Sequence, residues 1–198
     1  MPYYKLILPA LMLLPFVKLL EGVLANDLGP DPVAMVADYT GLWALITLLI
    51  TLSLSPLSRL IRRRWLLRAR RQAGLVVFFY ASLHLLTFLA LQAGWQWQEI
   101  VKALSHQPYI ILGMLGYVVL LPLAITSTNR WVRRLGSRWK QLHRLVYVAL
   151  FVVCVHGWWQ LRADGGELLP YIIWAAVIAL DRLAYAYIWL PRRSYLSR

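Results

Sequence analysis

The stretch from His143 to His156, HRLVYVALFVVCVH, is an apolar run closed by an imidazole at each end. Two ionisable rings in so oily a segment need a reason, and the rest of the chain supplies the setting. Hydrophobic residues make up 61% of the 198 residues, yet the formal charge is +13. Charge must then be segregated from apolar surface, which points to an integral membrane protein rather than one soluble domain. A hydrocarbon core about 30 Å thick takes roughly 20 apolar residues per helix. Segments 6–24, 41–57, 73–93, 109–126, 142–161 and 168–190 meet that length. The sequence therefore predicts an all-α membrane protein, a six-transmembrane-helix bundle forming a single domain over 1–198. The first segment is the least regular, because Pro9, Pro15, Lys18 and Glu21 interrupt it. Val23-Leu24-Ala25 resembles a signal-peptidase site, but Lys18 and Glu21 fall where a signal's apolar region should end cleanly, so a retained helix is expected.

Charge fixes the expected orientation. Arg59, Arg62, Arg63, Arg64, Arg68, Arg70 and Arg71 lie between the second and third segments, Arg130, Arg133, Arg134, Arg138 and Lys140 between the fourth and fifth, and Arg192, Arg193 and Arg198 in the tail. By the positive-inside rule these are cytoplasmic, and both termini are inside. The opposite loops carry only Lys102 and Arg162 as cations, against Asp27, Asp31, Asp38, Glu99, Asp164 and Glu167. Because the arginines border apolar spans instead of forming a basic domain, the expected partner is the lipid bilayer with its anionic headgroups, not nucleic acid. Trp65, Trp131 and Trp139 on one side and Trp95, Trp97, Trp158 and Trp159 on the other fit interfacial aromatic belts. Cys154 is the single cysteine, which excludes an intrachain disulfide.

No connection exceeds about 17 residues, so a second domain has no room. The chain has no GxGxxG after a strand and no phosphate-binding loop, and it lacks CxxCH, which excludes covalently attached c-type heme. Odd-numbered segments run from inside to outside, so the third and fifth are parallel.

Of the four histidines, His106 is expected in an outer loop as a solvated ring. Ionisable groups inside a bilayer are costly and face a bundle interior, a partner or a cofactor, although a histidine can also simply hydrogen-bond between helices. His84 and His156 fall about 10 and 13 residues into their spans, roughly 15 and 20 Å from the inner edge. At that similar depth on parallel helices, two neutral imidazoles can clamp one iron, and bis-axial ligation suits electron transfer. His143 lies roughly 20 Å below His156, where a second heme would sit, yet 13 steps of about 100° put the two rings roughly 140° apart on an ideal helix. On the third span the matching inner position is Arg70, placed to pair with a heme propionate, to oppose the inner iron, or to face headgroups.

The segments LGPDPV (28–33), YTG (39–41), SPLSR (55–59), RRQAGLVVFFYASLH (70–84), LPLAITS (121–127) and LGSRWKQLHRLVYV (135–148), followed by His156, closely resemble the MsrQ (YedZ) family. That family comprises heme-binding membrane subunits of the periplasmic methionine-sulfoxide reductase system, within the ferric-reductase-like transmembrane group. The resemblance implies b-type heme, one or two, on His84 and His156 with His143 as a further ligand. It implies electron transfer across the bacterial inner membrane to a periplasmic molybdopterin subunit that repairs oxidised envelope proteins. FMN, the quinone pool and a cytoplasmic flavin reductase are also implied by it. The chain departs from the related NADPH-oxidase pattern in lacking a cytoplasmic flavin and nicotinamide domain, and in carrying Arg70 where the inner partner histidine would stand.

Two other readings compete. A histidine-based proton-coupled transporter predicts paired intramembrane carboxylates or helix breakers at matching positions of two halves, where Asp181 and Arg182 are the only adjacent acid and base at depth. A stand-alone ferric or oxygen reductase of the same fold differs only in its acceptor.

Overall fold

The computed structural model describes residues 4–160 and 166–189. Arg162, Asp164, Arg192, Arg193 and Arg198, which contribute to the expected orientation, lie outside them. The described chain is helical, without strands. Its elements are α1 (Tyr4–Leu24), α2 (Pro32–Leu60), α3 (Trp65–Leu86) extended by a π-helical turn (Thr87–Gln92), α4 (Trp97–His106), α5 (Pro108–Ile125), α6 (Asn129–Leu135), α7 (Ser137–Leu142), a 3₁₀ turn (His143–Leu145), α8 (Val146–Gln160) and α9 (Leu169–Ala184) with a closing π turn (Tyr185–Trp189). Among the described residues, six stretches are long and apolar enough to cross a membrane: Leu6–Leu24, Pro32–Leu60, Trp65–Gln92, Pro108–Ile125, Ser137–Gln160 and Leu169–Tyr187.

These stretches contain the six expected segments almost completely, and they differ from them most at polar ends. α2 begins at Pro32, well before residue 41, because Asp31 caps it by accepting from Ala34 N at 3.0 Å and Pro32 occupies the first turn. α2 and α3 also take up most of the arginine-rich connection. The outer stretch expected as a loop contains α4, in which Trp97, Ile100, Val101 and Leu104 recur at helical spacing. His106 ends that helix and is exposed, as expected of a solvated ring.

α2 is the central helix. Its Leu45, Leu48, Leu49 and Leu52 are buried against Val77 of α3, Leu120 of α5, Ala149 and Leu150 of α8, and Ile178 of α9. Its threonines cost little there, since Thr40, Thr47 and Thr51 donate to the carbonyls of Val36, Trp43 and Thr47, one turn back, at 2.7–2.8 Å. A second cluster joins α1, α2 and α3 around Tyr80, which is fully buried. This tyrosine repairs the irregular first span. Pro15 opens the α1 ladder, and the Tyr80 hydroxyl enters the gap, accepting from Phe16 N and donating to Met12 O, both at 3.0 Å. Tyr39 donates to Pro15 O at 3.0 Å from α2. Large apolar side chains such as Leu14, Val118, Phe151 and Val177 are exposed on the outside of the bundle, as helices facing hydrocarbon require.

Candidate cofactor site

His84 reaches the interior from α3 and His156 from α8, and their ring centroids stand 6.1 Å apart with planes 72° from parallel. Each ring is aimed by the helix opposite it. His84 Nδ1 donates to the carbonyl of Ala37 on α2 at 2.9 Å, and His156 Nδ1 donates to the carbonyl of Tyr109 on α5 at 2.7 Å. A proton held on Nδ1 leaves the Nε2 lone pair of both rings for a metal. One turn beyond each accepting carbonyl is a glycine. A Cβ on Gly41 would lie 3.0 Å from His84 Cε1, and a Cβ on Gly113 would lie 2.9 Å from His156 Cε1. Only glycine lets the helix backbone approach the imidazole so closely. The two devices match in detail, since each accepting carbonyl precedes its histidine by 47 residues.

The fit to a bis-imidazole porphyrin can be tested on these distances. Two imidazoles bonded through Nε2 to opposite sides of one metal, at about 2.0–2.1 Å each, have centroids roughly 6 Å apart. The observed 6.1 Å meets that requirement. Both rings line a cavity of about 810 Å³ with a mainly apolar wall that includes Leu45, Phe88 and Tyr117 and polar groups at Asp38, Gln160 and Glu167. That volume lies in the range of sites for large organic cofactors. No cluster of three or more His, Cys, Asp or Glu side chains arranged for a bare metal ion occurs among the described residues. The donor set therefore suits a metal carried by a macrocycle.

His143 stands apart from this pair. It opens the 3₁₀ turn between α7 and α8, its ring stacks on Trp139 with centroids 3.9 Å apart, and its Nδ1 donates to Trp139 O at 3.1 Å. Its Nε2 is buried without a hydrogen-bond partner. The turn answers part of the angular mismatch: three residues at about 120° each, in place of about 100°, narrow the offset from His156 from roughly 140° to roughly 80°. The two rings still face different neighbours. Arg70 comes within electrostatic range of His143, and it is half-buried rather than directed outward like Arg68. His84, His156, His143 and Arg70 thus divide into one close pair and a second, looser pair nearer the arginine-rich end.

Residues 40–154 match the family described as ferric reductase like transmembrane component. The chain belongs to this family. It is also similar over most of its length to proteins named protein-methionine-sulfoxide reductase heme-binding subunit MsrQ. The relative from Herminiimonas arsenicoxydans is 40% identical over 92% of this chain and 84% of its own length. That from Ralstonia nicotianae is 41% identical over 86% and 78%, and that from Xanthomonas campestris pv. campestris 44% identical over 79% and 70%. These likenesses place the chain in the MsrQ family, as its motifs led one to expect. No solved structure matches it.

Sequence reasoning missed Ala37, Gly41, Tyr109 and Gly113. Gly41 stands in the YTG segment, but only as part of a resemblance. The recurrence of glycine at the same distance before both membrane histidines was a readable signal. Asp181 does not pair with Arg182, which was one of the arrangements open to it; it is bound by Arg59 of α2 instead.

Proposed function

We propose that the chain is the heme-binding membrane subunit of a protein-methionine-sulfoxide reductase, multi-pass in the bacterial inner membrane with its arginine-rich end and both termini in the cytoplasm. His84 and His156 are the axial ligands of an outer b-type heme, and His143, with Arg70 beside it, holds a second b-type heme nearer the cytoplasm. When bound, heme supplies a reversible one-electron iron couple, so the chain passes electrons outward from quinol or a cytoplasmic flavin reductase to a periplasmic molybdopterin partner.

The single observation carrying this is the 6.1 Å separation of two imidazoles whose Nδ1 atoms are both tied to backbone carbonyls. Each carbonyl fixes tautomer and ring plane, and each glycine lets the supporting helix close on the ring. With both axial positions taken by protein nitrogen, small molecules have no open coordination site, which favours electron transfer over oxygen chemistry. A proton relay is less well supported. Both rings already have Nδ1 engaged by backbone carbonyls, and the acid Asp181, one-third exposed, is engaged by Arg59. The names of the relatives support a methionine-sulfoxide reductase as the partner.

Deletion of the gene should abolish repair of oxidised methionines in periplasmic proteins, read by mass spectrometry of envelope peptides after hypochlorite stress. The wild-type gene should restore repair and His84→Ala should not. Full repair in the deletion strain, or by His84→Ala, would overturn the proposal.

A further inference from the structure

Among the described residues, Arg70 and Arg182 are partly buried at the cytoplasmic end of the bundle and lack an acid partner. Arg182, near the end of α9, follows Asp181, whose carboxylate receives both contacts from Arg59 Nη2, while the Arg59 guanidinium also covers the Tyr185 ring at 4.6 Å. Arg182 turns the other way, into the bundle. Its Nη2 donates to Leu52 O at 3.3 Å, its guanidinium lies 5.9 Å from the Tyr147 ring centroid, and its Nε is buried with no hydrogen-bond partner. Arg70 of α3 is within electrostatic range of both Arg182 and Tyr147. His143 Nε2, in a ring within electrostatic range of Arg70, is likewise buried with no hydrogen-bond partner. Neither Arg70 nor Arg182 has an ion pair among the described residues, where the pairs are Arg59–Asp181 and Lys102–Glu99. Every other described carboxylate lies toward the opposite ends of α1, α2 and α9 or in α4.

A guanidinium held within a membrane-embedded bundle without an acid, as Arg182 is, is costly unless an anion neutralises it, and a carbonyl and an aromatic ring supply only partial compensation. Guanidinium donors in a fixed fork match carboxylate and phosphate oxygens. We propose that Arg182 and Arg70 form a two-arginine site for the carboxylate or phosphate group of a ligand seated at the level of His143, bordered by α3, α8 and α9. The acid group has two sources. A second heme would present its propionates, and this source rests on the inner heme proposed above. A phosphate-bearing molecule such as a phospholipid would present its phosphate, and that source does not.

The test uses the purified full-length chain as wild type, Arg182→Gln and His143→Ala, with heme per chain and tightly bound phosphorus measured for each. The low-spin signal of the His84–His156 heme reports that the bundle is intact. Loss of the inner heme from Arg182→Gln, with the outer signal kept, supports the site and assigns propionates to it. Unchanged heme with a several-fold fall in bound phosphorus supports the site and assigns phosphate. If His143→Ala leaves heme unchanged while Arg182→Gln loses phosphorus, the inner heme fails and the anion site stands. Unchanged heme and phosphorus in Arg182→Gln overturn the site. Should that variant not fold, wild-type protein carrying one heme and no tightly bound phosphorus overturns it equally.

Discussion

The two ends of the segment from His143 to His156 show different ways of preparing a histidine. At the outer end, His156 is one of a matched pair, and each ring is held by a carbonyl and a glycine of an opposing helix. At the inner end, His143 is held chiefly by its own segment, through Trp139 one turn earlier, with the Leu123 carbonyl of α5 close by, and it meets arginine rather than a second imidazole. The outer site is thus specified by backbone approach, which tolerates almost no added atom. The inner one is specified by side-chain charge and stacking, which tolerate more. A ligand-binding bundle can therefore carry two positions of unequal stringency on one helix.

Substitutions of the ligands break the comparison most severely. His84→Ala and His156→Ala should each abolish the outer heme, whereas His143→Ala should leave it intact, as read from the dithionite-reduced spectrum. Next come the glycines. Gly41→Ala and Gly113→Ala displace an imidazole from its carbonyl and should weaken heme retention on the order of 10-fold, the scale of lost second-shell support. Gly74→Ala, also in a membrane helix but with nothing within 4 Å of the added Cβ, should leave retention unchanged. Tyr80→Phe removes the hydroxyl that bridges the α1 break, costing about 1–3 kcal/mol of stability with heme content unchanged, measurable by thermal unfolding. Arg59→Ala should cost least, about 0–1 kcal/mol, because its pair with Asp181 is one-third exposed on both sides.

The hydrophobic segments and the depth of His84 and His156 were legible because apolar length and rise per residue depend on local sequence alone. The π turn after His84 and the 3₁₀ turn at His143 were not, since helix winding responds to tertiary packing. The bridging role of Tyr80 was equally hidden: Pro15 announced a break in α1, but nothing local said which side chain would fill it. The glycines opposite the histidines were present as letters, while their purpose depended on which helices become neighbours. Arg182 could be noticed as a charge at depth, yet only the capture of Asp181 by Arg59 leaves it unpaired by acid.

The central claim is that His84 and His156 share one iron, and electron paramagnetic resonance of the purified ferric protein tests it most directly. Rings set 72° apart predict a strongly anisotropic low-spin signal of two nearly perpendicular imidazoles. That signal should disappear in both His84→Ala and His156→Ala and persist in His143→Ala. Its survival in either single variant of the outer pair would contradict the account.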